Sequence, residues 1–164
     1  MAMASTVTVK GVVTLLTCGH HLPVARTGEI LGDLFGVNIS DAVILEAAST
    51  VAAGVAPVTD AVRQALIQSP VIHVDEPGLR VEGRLYWLHV AATDQLTGYQ
   101  VHPKRGLDAM AAASILASYE GVAVHDHWKS DFHFIACQHA LCNAHHLREL
   151  EWVEEAWGQP WAGA

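Results

Sequence analysis

Residues 71–102 read VIHVDEPGLRVEGRLYWLHVAATDQLTGYQVH, and residues 121–131 read GVAVHDHWKSD. In the first stretch, Val71 to Val74 is β-branched and apolar apart from His73. Arg84 to Ala92 alternates aromatic and aliphatic positions, and Thr97 to His102 is short and β-rich after a turn at Asp94 to Leu96. The pattern predicts three strands. Beyond them, Leu107 to Ser118 predicts an Ala-rich helix, Val122 to His125 a short buried strand, Ile135 to Leu141 a further strand, and Asn143 to Trp157 a closing helix.

Three sequential strands followed by strand–helix alternation predict an α/β (α+β) fold: a ribonuclease-H-like mixed sheet with helices. A helical region precedes it. Ile30, Leu31, Leu34 and Phe35 recur at helical spacing until Gly36 breaks the run, and Ser40 is a good N-cap ahead of Ala42, Val43, Ile44 and Leu45. Thr59 to Gln68 carries another amphipathic helix before Ser69 and Pro70 punctuate the chain. The expected organisation is a helical region over 1–68 and a partial catalytic-type core over 69–164. The helix–turn–helix shape invites a DNA-reading role, but Asp41 to Gly54 contains no Arg, Lys, Asn or Gln to face a groove, so a packed helical hairpin is expected.

The 164 residues are 51% hydrophobic and 16% charged, a globular composition. A net charge of −8 removes the broad basic footprint of a nucleic-acid binder, so any DNA contact has to be local. Three cysteines form an odd, sparse set and no signal peptide is visible, so a reducing, cytoplasmic setting is expected. Apolar runs such as Gly11 to Leu16 fall short of the 18 or so residues of a membrane span, and no membrane association is expected. Of eleven histidines, seven lie between His102 and His146, and that is where chemistry is sought first.

Asp75 and Glu76 follow the first strand directly, and Asp126 follows the strand ending at His125. A carboxylate at a strand end is held by rigid backbone and points where α/β folds place ligands. Two on neighbouring strands would suit Mg²⁺ or Mn²⁺, hard cations that take oxygen ligands and serve phosphoryl chemistry. The plain alternative is a pair of turn acids, Asp75 and Glu76 standing beside Pro77 and Gly78. His73, His125 and His127 flank these acids as possible outer partners of a metal, His73 equally as a core histidine. The five tryptophans read as core or interface anchors. CQHALCNAHHLREL, residues 137–150, could instead bind zinc through Cys137, His139, Cys142 and His145, but it lacks a second pair further along, and zinc is not expected.

HHLPVARTGEILGDLFGV, HVDEPGLRVEGRLYWLHVA, VHPKRGLDAM, GVAVHDHWKSDF and HALCNAHHLRELE, in that order from about His20 to Trp161, resemble the transposases of insertion-sequence-sixty-six elements. The resemblance implies a bacterial enzyme with a ribonuclease-H-like core and three catalytic acids, which moves DNA by divalent-metal-dependent strand cleavage and transfer. It assigns Asp75 and Asp126 as the first two catalytic acids and metal ligands, and Cys142 and His145 as a Cys-x-x-His signature. Lys104 and Arg105 fall in its Lys-Arg-Gly segment as candidates for phosphate contact.

Pro77 replaces the family's threonine, and Ser130 and Asp131 stand where it shows proline and tyrosine. Its third acid, a glutamate in a later Asn-Asn-x-x-Glu-Arg segment, has no counterpart before Ala164, so the chain reads as truncated and inactive alone. Glu149 or Glu151 on the closing helix could stand in. The expected partners are DNA at transposon ends and full-length transposase or a second copy of the chain. The alternatives to a transposase fragment are a non-catalytic regulatory module assembling with the full-length enzyme and, third, a small zinc protein.

Overall fold

In a computed structural model that describes residues 9–113 and 115–163, the strand-rich half forms one six-stranded sheet. Its strands are Val71–Asp75 (β1), Gly78–Val81 (β2), Arg84–Ala92 (β3), Thr97–His102 (β4), Val122–His125 (β5) and Gln138–Leu141 (β6). The helices are Val9–Gly19 (α1), Val24–Phe35 (α2), Asp41–Ile67 (α3), Leu107–Ala113 (α4) and Asn143–Trp157 (α5). Single 3₁₀ turns lie at Leu116–Ser118, Asp131–His133 and Pro160–Gly163.

β3 is the hub of the antiparallel half. Its last residues pair with β1 on one edge and with β4 on the other, and Arg84 to Trp87 pair with β2. β1, β5 and β6 then run parallel, Val71 opposite Val122 and Val122 opposite Gln138. The order β4-β3-β1-β5-β6, three antiparallel strands extended by two parallel ones, is the expected ribonuclease-H-like mixed sheet.

Strand β2 was not expected. It exists because Glu82 and Gly83 both take positive φ, 50° and 77°, making the two-residue turn whose twist matches a hairpin. Glu-Gly is a poor sequence signal for that turn, since glutamate gains nothing in the left-handed region. Glu82→Asn should therefore stabilise the sheet by about 1 kcal/mol, read as a higher urea midpoint with unchanged slope.

Two further expectations shift. The helix from Leu107 stops at Ala113 and gives way to the turn at Leu116–Ser118, and the last strand begins at Gln138 because Ile135 stands 91% exposed in a loop.

Alternation builds the core of this half. Ile72 and Val74 of β1 are buried while Val71, His73 and Asp75 are exposed, so His73 is not a core residue. Ile72 and Val74 meet Ala91, Ala123, Met110, Leu116, Tyr119 and Cys137, and from the end of α3 comes Leu66, with Val62 packed alongside.

The chain divides into two compact units, Met1–Thr59 and Asp60–Ala164, earlier than the change of character at Ser69. In the first, Val13, Leu31, Ile44 and Ala47 form the core. Gly36, at φ 65°, ends α2 by donating to the Gly32 carbonyl, Val37 donates to Leu31, and the Ser40 carbonyl accepts the first bonds of α3.

α3 itself differs from expectation. It runs unbroken for 27 residues through Pro57, where a break before Thr59 was expected. An internal proline deletes one ladder bond, and the Ala-rich turns on either side carry the helix past it. Joined in this way, α3 is long and apolar enough to cross a membrane by length and composition, with mean hydropathy 1.6 over its most apolar window, although no such segment was expected.

Candidate metal centre

The parallel register of β1 and β5 decides where the two strand-end aspartates lie. His73 stands opposite Val124, and the same offset continued past the paired residues sets Asp75 beside Asp126. Neighbouring strands are about 4.8 Å apart, so both acids leave the sheet at one place. Asp75 Oδ1 accepts the N–H of Glu76 at 2.8 Å, and Asp126 Oδ1 accepts the N–H of Trp128 at 2.7 Å. The second bond is an Asx turn, which folds the chain back into the 3₁₀ turn carrying Asp131.

That turn adds an acid the sequence reading noted only as a departure from the family pattern. Asp131 is 2% exposed, and atoms of His125, Asp126 and Asp131 suited to a metal lie within 4.8 Å of one another. His125 Nδ1 donates to the Asp126 carbonyl at 2.5 Å and lies 3.3 Å from Asp131 Oδ2, while its Nε2 meets His139 Nδ1 at 3.0 Å. Burial holds His125 below the usual imidazole range, so it is neutral with its proton on Nδ1. The ligating atoms left in the group are carboxylate oxygens, and Asp131 Oδ1 is buried without a hydrogen-bond partner.

Glu76, 5% exposed, completes the cluster. Burial, and then the charge of Asp131, push its carboxyl up to about 8, against the pull of Arg105. Burial and Asp126 push Asp131 up to about 7. One guanidinium pairs with Glu76 and Asp126, too little positive charge to offset the burial that raises Glu76 and Asp131. An all-oxygen donor set short of positive charge, with one orphaned buried oxygen, fits a hard divalent cation.

The one guanidinium belongs to Arg105. Its Nη2 is 3.6 Å from both Glu76 Oε2 and Asp126 Oδ2, and its Cζ lies 3.9 Å over the Trp128 ring and 5.2 Å from the Trp87 ring centre. The loop before it is pinned twice. Buried His89 donates from Nε2 to the Lys104 carbonyl at 3.2 Å, and His102 Nδ1 accepts the Lys104 N–H at 3.0 Å. Arg105 is thus turned into the acids, whereas Lys104 stands exposed with its Nζ 3.6 Å from Asp108. Trp87 and Trp128, read from sequence as core or interface anchors, flank the cluster.

The other named residues lie apart from it. Glu149 meets His127 Nδ1 at 3.5 Å, His127 Nε2 meets His146 Nε2 at 2.9 Å, and Glu151 is exposed on α5. Among the described residues no contact joins either glutamate to Asp75, Asp126 or Asp131. Cys142 sits at the N-cap position of α5 with its thiol pulled down by hydrogen bonds from His145. Cys137 and His139 pair with each other instead, 4.0 Å apart, so among the described residues the four candidate zinc ligands form no single set. Glu76 and Asp131 were the acids that sequence reasoning underused. The five-residue step from Asp126 to Asp131 becomes a signal only once the turn between them is known.

The pattern of the Transposase IS66 family matches residues 2–163. Among solved structures, the chain is similar to the HTLV-2 integrase catalytic core domain in complex with magnesium, in trimeric and dimeric forms. Each shows 13% identity and a TM-score of 0.37 over 55% of this chain and 75% of that chain. It is also similar to the simian T-cell lymphotropic virus intasome in complex with PP2A regulatory subunit B56 gamma, at 14% identity and a TM-score of 0.39 over 92% of this chain and 62% of that one. No curated protein matches. With the family pattern spanning nearly every residue, both strand-end aspartates included, the chain belongs to the IS66 transposase family.

Proposed function

We propose that this chain is the part of a bacterial DNA transposase that holds Mg²⁺ or Mn²⁺ between Asp75 and Asp126 for DNA strand cleavage and transfer. The observation that carries this reading is the parallel pairing of β1 and β5, the strands that Asp75 ends and Asp126 follows. Asp131 and Glu76 would support the ion from the buried side, with His125 Nδ1 3.3 Å from Asp131 Oδ2. A divalent ion there supplies Lewis acidity toward a phosphodiester oxygen and sharpens an attacking water or hydroxyl. Lys104, exposed beside the cluster, is the residue best placed to meet a DNA phosphate. The family's third acid has no counterpart within these residues and Glu149 is engaged by His127, so these residues alone should bind metal without joining DNA strands. The free thiols of Cys18, Cys137 and Cys142 suit the reducing cytoplasm where such an enzyme meets DNA.

Titration of the chain with Mn²⁺, followed by the loss of free-ion paramagnetic resonance, should show saturable binding. Asp75→Ala or Asp126→Ala should each weaken it by about tenfold or more, each removing a charged ligand. Equal binding by all three chains would remove the cation role from the two aspartates.

A second reading, a non-catalytic module that assembles with full-length transposase or with its own copies, is favoured by the large apolar side chains left in water. Ile135 is 91% exposed, Trp161 65% and Trp157 64%. Co-purification with an intact family member tests it, and no complex at micromolar concentration would count against it.

A further inference from the structure

We propose that Arg105 is a resident counter-cation of the carboxylate cluster, competing with a divalent ion for the same oxygens of Glu76 and Asp126 and withdrawing when the ion binds. The inference rests on the cation reading above and adds to it a residue that sets how readily the ion is taken up.

The geometry is that of a held but replaceable charge. At 3.6 Å the two ion pairs of Arg105 are longer than the 2.7–2.9 Å or so of a charge-assisted hydrogen bond, so the guanidinium sits between the acids without being locked to either. The Trp128 face beneath it, with the Trp87 ring to one side, supplies much of the hold. Its Nε is buried with no hydrogen-bond partner, so the present position leaves one donor of the fork unused. His89 and His102 fix the backbone of the preceding residue, which confines any movement to the side chain.

A Mg²⁺ ion binds carboxylate oxygen at about 2.1 Å. An ion on Asp126 Oδ2 would therefore share the space of Nη2 and repel it. A withdrawing guanidinium uncovers Trp128, which makes the indole a reporter of the exchange.

The test compares the full chain with Arg105→Gln and Arg105→Lys, titrated with Mg²⁺ at pH 8 by calorimetry and by tryptophan emission. Arg105→Gln should bind Mg²⁺ about tenfold more tightly, having lost the competing charge. Arg105→Lys, which keeps a cation, should stay within about threefold of the parent. Mg²⁺ should shift the emission of the parent but not that of Arg105→Gln, and Trp128→Phe should remove most of the shift. A merely structural Arg105 would move none of the emission differences. Equal or weaker Mg²⁺ binding by Arg105→Gln, with the circular dichroism of the parent, overturns the proposal and leaves the cation reading standing. Silence from both parent and Arg105→Gln overturns the two together.

Discussion

Raising the pH from 6.5 to 8.5 should lower the melting temperature of this chain, and millimolar Mg²⁺ should recover most of the loss. Glu76 and Asp131 cause the fall. Burial foremost, then the neighbouring carboxylates, raise them to about 8 and about 7 from the usual 4.5 and 3.8. Between the ordinary and the raised values the folded chain holds protons that the unfolded chain has released. Stability therefore decreases with pH across that interval: the contribution is whole below the unfolded values and is lost as pH rises through 7 and then 8.

His89 and His125, both held low by burial, act in the opposite sense and lose stability as pH falls below about 6.5. Starting at 6.5 sets these two histidines aside. At about 1.4 kcal/mol per pH unit and proton, the window costs about 2–3 kcal/mol, or roughly 4–12 °C in Tm for a chain of this size. A bound divalent ion replaces the missing positive charge and stabilises by mass action. Glu76→Gln, which needs no proton to be neutral, should flatten the profile. A parent Tm that does not change across this window would mean that the carboxyl groups are not clustered in solution.

Gly121→Ala should unfold the sheet-bearing unit more readily than any surface change, by about 3 kcal/mol, with Tm lower by roughly 6–12 °C. A Cβ at this position would lie 2.7 Å from the Pro70 carbonyl oxygen and closer still to the Tyr119 hydroxyl. Neither neighbour is free to move. The Pro70 carbonyl accepts the Val122 N–H at 2.9 Å, which starts the β1–β5 ladder, and Tyr119 is fully buried with its hydroxyl donating to the Val122 carbonyl at 3.2 Å. Any relaxation displaces β5 against β1, the pair of strands that sets Asp75 beside Asp126. The same substitution should therefore weaken Mn²⁺ binding at temperatures where the chain is still folded. Wild-type thermal stability in Gly121→Ala would show that the approach of Tyr119 to this glycine is not as close as described.

Much of this architecture was legible locally. The alternation in Arg84–Ala92, Thr97–His102 and Val122–His125, and the span of α5 from Asn143 to Trp157, coincide in sequence and structure because strand and helix periodicities are written residue by residue. β2 was not legible, since Gly78–Val81 is a strand only through its pairing with Arg84–Trp87. Nor was the continuity of α3, where the proline signal at Pro57 is local and the packing of Val62 and Leu66 beyond it is not.

At the site, Asp75 and Asp126 could be named from sequence because each ends a strand whose apolar run is visible. Glu76 and Asp131 as burdened, proton-holding acids could not, and neither could Arg105 as their shared cation. By itself the order of residues determined the class of fold and which acids stand at strand ends. Only the tertiary structure decided what those acids face, because burial and Coulomb interaction depend on distances between residues such as Glu76, Arg105 and Asp131 that the chain brings together from far apart.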